Sequence, residues 1–374
     1  MKINTLFSYL ALGWMGGMLL KGCAVSPEVK ATPLHSSLTI LVSPVEKLSQ
    51  TLADSLVEEL SFVEQCQQRE SFSPALRHTI EVLLVQAGES DCSRADRRLR
   101  EITFLDLKSG KIRDLRPLRN LPNLIELHLS LNRNLSHLQS LSSLTQLEIL
   151  YLASSKIENI EPLSSLTQLK LLSLSGNQIT DITPLANLYR LEVLYLGENY
   201  IQDIHPLKNL LQLITLDIRP AEGSIIQIRD ISPLSKLVKL RELDLPRQGI
   251  SDLTPLQNMT NLTILILSDN SISDLTPIAN LVRLKILWLR GNNIQDIRPL
   301  AQLIKLEYLL LGSNEISDIT PLEKLTRLKK LGLHSNPIID ASLLTNLPDL
   351  QELGISLSCL VQPISTCRAI DGRY

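Results

Sequence analysis

From Ile102 onward, apolar residues return in one fixed arrangement. The stretch Leu169-Lys170-Leu171-Leu172-Ser173-Leu174-Ser175-Gly176-Asn177-Gln178-Ile179-Thr180-Asp181-Ile182-Thr183-Pro184-Leu185-Ala186-Asn187-Leu188 shows the block, which restarts every 22 residues. Copies begin at Ile102, Leu124, Leu147, Leu169, Leu191, Leu213, Leu240, Leu262, Leu284, Leu306, Leu328 and Leu350, giving eleven full turns and a fragment. Two spacings depart from the period, 23 residues after Leu124 and 27 after Leu213, and the second adds Ala221-Glu222-Gly223-Ser224 and neighbours to one loop. A period of this length marks units that bury their apolar faces only against the next copy. The L-x-L pair (Leu172, Leu174) predicts a short strand with both Leu side chains in the core, so that strands of successive turns pair in parallel. Asn177 and its equivalents Asn199, Asn270, Asn292, Asn314 and Asn336 stand where the chain leaves the strand, where an amide can satisfy backbone groups of adjacent turns. Gln248 and Ser155 replace it, and the sixth turn lacks it, which predicts locally looser or bent turns. Thr183-Pro184 predicts a hydroxyl-capped helical or 3₁₀ turn on the opposite side. The fold class predicted is an α/β repeat solenoid over 102–358.

Upstream the pattern changes three times. Residues 1–22 combine Lys2, an apolar stretch from Leu6 to Leu20 and a small-residue end, the layout of an export signal. The apolar run is short and diluted for a membrane-spanning helix, so an uncleaved anchor is the weaker reading. Residues 23–44, with Pro27 and Pro33 and no sustained period, read as a tether. Residues 45–101 read as a helical cap: Val45, Leu48, Leu52, Leu56, Leu60 and Val63 recur at helical spacing, and a second helix runs from Pro74 through Leu84 to Ala87-Gly88. Cys66 near the end of the first helix and Cys92 after the second are placed to close this hairpin by a disulfide in an exported chain. Cys359 and Cys367, either side of Pro363, could close a small loop over the other end, 359–374.

The chain has 374 residues with 37 Lys+Arg, 39 Asp+Glu and 3% aromatic residues. So few rings do not suit a large compact core, whereas stacked identical layers of Leu and Ile do. A formal net charge of −2 removes a global drive toward nucleic acid or anionic membrane, although a local basic patch stays open. None of the six His falls in a metal-ligand spacing, and no phosphate-cradling or nucleophile-elbow motif is present, so neither an enzyme nor a cofactor is expected. An Asp column (Asp114, Asp181, Asp203, Asp230, Asp252, Asp274, Asp296, Asp318, Asp340) could bind Ca²⁺ in principle. The favoured reading is structural, each Asp accepting N–H bonds at the start of the turn that follows it.

These repeats resemble the leucine-rich repeat family, in its 22-residue internalin-like and SDS22-like class. The resemblance spans about 102–358 and implies a curved solenoid with its parallel sheet on the concave face, and a protein that binds partners. The region 61–100 resembles the N-terminal cap of exported members, with its paired Cys. Leu20-Lys21-Gly22-Cys23 resembles the end of a bacterial lipoprotein signal, which implies lipidation at Cys23. Lys21 stands where a small uncharged residue is usual, so cleavage after Ala24, giving a secreted or periplasmic soluble protein, is the other reading. An intracellular phosphatase regulator conflicts with the export signal and the paired Cys.

Functional residues are expected in the strand positions that face outward. Two apolar, aromatic clusters occupy them: Tyr151 and Tyr195 with Ile149, Leu171 and Val193, and then Ile264, Ile266, Ile286, Trp288, Tyr308 and Leu310. Between them lie Asp217, Glu242 and Asp244, and the remaining turns place Asp106, His128 and Lys330 there. Aromatic clusters exposed on a rigid sheet suit a protein partner. A structural envelope spacer without a ligand, and a glycan-binding module using the rings with Asp217 and Asp244, are the alternatives. The membrane is expected to be reached only through the lipid, and nucleic acid is not expected as a partner.

Overall fold

The structure, a computed structural model, describes residues 57–225 and 227–355. Twelve strands of three residues each, from β1 (Phe104–Asp106) to β12 (Glu352–Gly354), form one parallel sheet in strict chain order. Each strand from the first to the eleventh is followed by a short 3₁₀ turn on the opposite side of the coil, such as Thr183–Leu185 and Thr276–Ile278. Residues one repeat apart stand side by side, as in Leu265 opposite Leu287 and Leu309 opposite Leu331. The result is a curved leucine-rich-type solenoid.

The core is a column of identical layers. In the turn that starts at Leu169, the side chains of Leu172, Leu174, Ile179, Ile182, Leu185 and Leu188 are at most 1% exposed. Burying each stabilises the fold by about 1.5–3 kcal/mol, and each layer needs its neighbours to complete the burial.

Two ladders of hydrogen bonds run beside this core. Asn270 donates from Nδ2 to the Leu245 carbonyl of the previous turn at 3.0 Å and to its own Leu267 carbonyl at 2.9 Å, while Oδ1 accepts the Ile250 N–H at 3.0 Å. Asn177, Asn199, Asn292, Asn314 and Asn336 repeat this arrangement, and so does Asn132 in the second turn, a member of the column that the repeat reading passed over. The two substituted turns are not loosened. Gln248 is one methylene longer and spans the widened turn, donating to the Ile218 carbonyl at 2.6 Å and accepting the Ile228 N–H at 3.0 Å. Ser155 donates to the Leu129 carbonyl at 3.4 Å and to the Ala153 carbonyl at 3.2 Å.

The Asp column starts the 3₁₀ turns. Asp181 Oδ1 accepts the Thr183 N–H at 2.8 Å, and Asp252, Asp274 and Asp318 do the same for Thr254, Thr276 and Thr320. Sequence reading gave the cap to the Thr hydroxyl. Instead Thr183 makes no cap bond, and its hydroxyl and N–H both serve the Asp181 carboxylate and hold it below its ordinary pKa.

Among the described residues, three α-helices precede the sheet: α1 (Phe62–Gln67), α2 (Pro74–Ala87) and α3 (Cys92–Glu101). Most of the helix expected from Val45 through Val63 lies outside the described residues, and α1 starts only at Phe62, where Ser61 and Glu64 form a reciprocal capping box. Helix α2 matches its expected bounds, closed by Gly88 in the left-handed conformation. Helix α3 was not expected: Asp91 caps it, and only Ala95 and Leu99 are buried in a helix otherwise rich in charge. A disulfide joins Cys66 to Cys92. The cap grips the first turn through the Thr79 hydroxyl on the Asp114 carbonyl at 2.8 Å, and within that turn Asp114 forms a buried ion pair with Arg116. The signal, the tether, Cys23, Cys359 and Cys367 lie outside the described residues.

Candidate functional site

Alternation along each strand sends its first and third residues to the concave face. Two outward columns result, and their registers are fixed by the parallel pairing. One runs Tyr151, Ser173, Tyr195, Asp217, Asp244, Ile266, Trp288, Leu310, Gly332. The other runs through Ile149, Leu171, Val193, Thr215, Glu242, Ile264, Ile286, Tyr308 and Lys330 beside it.

These side chains are less exposed than expected. Ile266 is 5% exposed and Asp217 7%, and Ile149, Tyr151, Val193, Tyr195, Ile264, Ile286, Trp288, Tyr308 and Leu310 are half-buried. The cause is spacing: neighbours on adjacent strands sit about 4.8 Å apart, so each residue in a filled column is covered on two sides. What faces solvent is the outer rim of a packed apolar strip. The strip is continuous from Ile264 in β8 (Ile264–Ile266) to Leu310 in β10 (Tyr308–Leu310).

The other expected group divides differently. Tyr151 and Tyr195 are separated by Ser173, whereas Tyr151 packs edge-on against His128 with ring centroids 4.5 Å apart. His128 meets Phe104 in the same way at 5.3 Å, and its ring nitrogen lies 2.7 Å from Glu126 Oε1. Thus a row Phe104–His128–Tyr151 crosses the first three strands. Phe104, which sequence reading did not single out, is 51% exposed.

Between the two apolar groups lies a compact charged centre. The guanidinium of Arg219, two residues after Asp217, bonds Asp217 Oδ2 at 2.8 Å and lies 3.5 Å from Asp244 Oδ2. Burial alone would push Arg219 down, yet the carboxylates of Asp217, Asp244 and Glu198 hold it above its ordinary value. Asp244 is pushed well up, first by burial and then by the charge of Asp217, against the opposing pull of Arg219. Its Oδ1 is enclosed without a hydrogen-bond partner. Burial also raises Glu242 beside it. The glycine at 197 permits this arrangement, since a Cβ there would stand 2.9 Å from Asp217 Oδ2. Arg219 was missed in the sequence because it falls just beyond the strand, although the same alternation places it outward.

Among the described residues no three His, Cys, Asp or Glu side chains group as a metal site would require. The carboxylates of the Asp column are instead engaged, each with the N–H two residues on.

The family profile for leucine-rich repeats in two copies matches residues 145–187, 167–209, 260–302, 282–324 and 304–344. The unmatched stretch between 209 and 260 holds the widened turn. The structure of the internalin InlF from Listeria monocytogenes superimposes with a TM-score of 0.64 and 31% identity, covering 75% of this chain and 90% of that one. The chain belongs to the leucine-rich repeat family, in its internalin-like class. A leucine-rich repeat protein of Leptospira interrogans shares 25% identity at a TM-score of 0.58, over 64% of this chain and 62% of its own. The functional domain of InlJ from Listeria monocytogenes, at 24% identity and a TM-score of 0.60 over 70% of this chain and 54% of its own, shares the fold. No curated protein matches the chain by sequence. Against this internalin-like frame, the charged centre at Asp217, Arg219 and Asp244 sits in the part of the solenoid that departs from the regular repeat.

Proposed function

We propose that this internalin-like solenoid is a non-enzymatic scaffold that binds another protein through its concave face. The observation that carries the reading is the apolar strip around Trp288, Tyr308, Ile264, Ile286 and Leu310, packed on a rigid sheet and bordered by the Asp217–Arg219–Asp244 centre. Rigid half-buried rings lose little freedom when a partner covers them, and such anchors carry most of the energy in protein interfaces. Tyr151 and Tyr195 supply a second contact, and the charges between the two set register and exclude wrong partners. Internalins are the structural relatives that support this reading. No helix among the described residues is long and apolar enough to cross a membrane. With the export-type N-terminus and a lipid at Cys23, the scaffold would stand at the cell envelope.

Partner capture tests the proposal. A photo-crosslinker at position 288, with a second at the convex Lys324 for comparison, is expected to give one dominant protein adduct from 288 alone. Once the partner is known, Trp288→Ala should weaken binding by about 2 kcal/mol, roughly thirtyfold, while the variant still unfolds in one cooperative transition. Equal capture from both positions would overturn the assignment of the concave face.

A further inference from the structure

The sheet and the 3₁₀ turns form two faces of each coil, so the segments that join them form its two edges. The edge entering the strands has an unusual composition. In the seven turns from Tyr189 to Thr326, the residue two positions before the start of the repeat is exposed, and in five of them it is a large apolar or aromatic side chain: Tyr189 at 54%, Leu211 at 46%, Val238 at 43%, Val282 at 45% and Ile304 at 54%. Thr260 and Thr326 hold the same place in the other turns and are exposed too. The next residue is basic at Lys239, Arg283, Lys305 and Arg327, and the position after the repeat's first Leu adds Arg241, Lys285 and Lys329. In the five turns that start at Leu240 to Leu328 the only carboxylate in these positions is Glu307, which Lys329 occupies at 2.7 Å, and the turn of Tyr189 adds Glu192. The members form one surface: Lys239 Nζ reaches Gln212 Oε1 of the preceding turn at 2.6 Å, and Arg283 reaches Asn261 Oδ1 at 2.7 Å.

The opposite edge carries the reverse sign. There the Asp column runs from Asp230 to Asp340, held ionised by N–H and hydroxyl donors such as those of Thr254 and Thr276. The residues just before these Asp are polar at Ser251, Ser273, Gln295 and Ser317, and Ile339 before Asp340, 88% exposed, is the apolar exception among the regular turns. A chain of net charge −2 therefore separates its charges across the width of the coil.

We propose that the basic edge from Tyr189 to Lys329 is a docking surface for an anionic lipid bilayer. Three features select that occupant. Cations beside exposed aliphatic side chains at successive levels combine the two interactions that hold proteins at a lipid interface, headgroup attraction and shallow apolar insertion. The acidic edge of a second copy would answer the charge, but with Ser251, Ser273, Gln295 and Ser317 at successive levels it offers the aliphatic row only Ile339 at its far end. Shape agrees as well: the edge of a curved ladder follows the plane of curvature and presents a row of roughly 30 Å to a flat partner, whereas the concave sheet suits a convex one. The inference is independent of the concave-face reading and uses none of its residues.

Vesicle flotation tests it with the full chain, using phosphatidylcholine vesicles with or without phosphatidylglycerol. Selective binding to the anionic vesicles is expected, lost in high salt and reduced about tenfold or more by the triple change Arg283→Glu, Lys305→Glu and Arg327→Glu. The pair Val282→Ser and Ile304→Ser should reduce it severalfold at unchanged melting temperature. Binding through the N-terminal segment is common to all variants and does not need anionic lipid, so the quantity compared is the excess of binding to anionic over neutral vesicles. Undiminished binding by the triple variant would overturn the proposal. Loss with the charge changes but not with the serine pair would assign the edge to a soluble polyanion, and salt-sensitive self-association of the chain alone would assign it to a second copy. Either result also removes the lipid assignment.

Discussion

The regular turns around β8 to β10 and the widened turn before β7 (Glu242–Asp244) solve one problem with different residues. In the regular turns, Asn reaches one carbonyl in its own turn and one in the preceding turn, and accepts one N–H. In the widened turn, Gln248 gives up the contact within its own turn and keeps both contacts between turns. The next Asn then takes on an extra bond: Asn270 Oδ1 accepts the Gln248 N–H as well as that of Ile250. The same compensation appears at the other substituted turn, where Asn177 Oδ1 accepts both Ser155 and Ile157 N–H groups. Strand register crosses the widened turn without a slip, Leu216 opposite Leu243. What the solenoid holds constant is the bond between layers; the length of chain between those bonds is free to vary, as the low cost of loop length allows.

This contrast can be broken at several points. Leu265→Asp places an unpaired carboxylate at a position that is 0% exposed and should abolish cooperative folding, seen as loss of the thermal transition; a retained transition would mean that single layers are dispensable. Asn292→Ala strands donors and acceptors in two turns and should cost about 2–4 kcal/mol in denaturant unfolding. Gln248→Asn shortens the reach across the widened turn and should cost about 1–2 kcal/mol, although Asn fills the same position in most of the other turns. An Asn at 248 that stabilises the protein would show that the widened turn is not held by that reach.

The smallest effect concerns acid. The Asp column has carboxyls held below their ordinary pKa in the folded chain, so their stabilisation is present above the unfolded carboxylate range near pH 4 and is lost as pH falls through the folded values. Asp274→Asn keeps an acceptor for the Thr276 N–H, so little change is expected at pH 7 and a shallower fall of melting temperature below pH 4. Asp244 has the opposite sign. Its carboxyl is raised, so what it contributes is present below the unfolded range and is lost as pH rises through the folded value; Asp244→Asn should leave stability at neutral pH unchanged or slightly higher.

The core, the sheet order and the two ladders were legible because repetition averages out local ambiguity: one misjudged residue does not disturb eleven copies. Where repetition fails, so does legibility. Helix α3 escaped because its apolar face is only Ala95 and Leu99, too small for periodicity to show amid its charges. The row Phe104–His128–Tyr151 escaped because neighbouring turns contribute three different residue types. The outward columns were located correctly, but their burial was not, since exposure there depends on what each neighbour brings rather than on the residue itself. Ser173 leaves Tyr195 uncovered on one side, while Asp244 and Trp288 enclose Ile266.

The Cys66–Cys92 crosslink has a mechanical consequence. If the chain is pulled through its N-terminus, tension entering α1 passes across the disulfide directly into α3 and the first strand. Helix α2 lies within the bridged segment of 26 residues and is left slack. The covalent shortcut thus delivers force to the first layer of the sheet, whose three-residue strand peels one hydrogen bond at a time, and each turn released would add about 75 Å of contour. Reduced, the same chain would yield α2 first, as an extra step of slack before the solenoid begins to unwind.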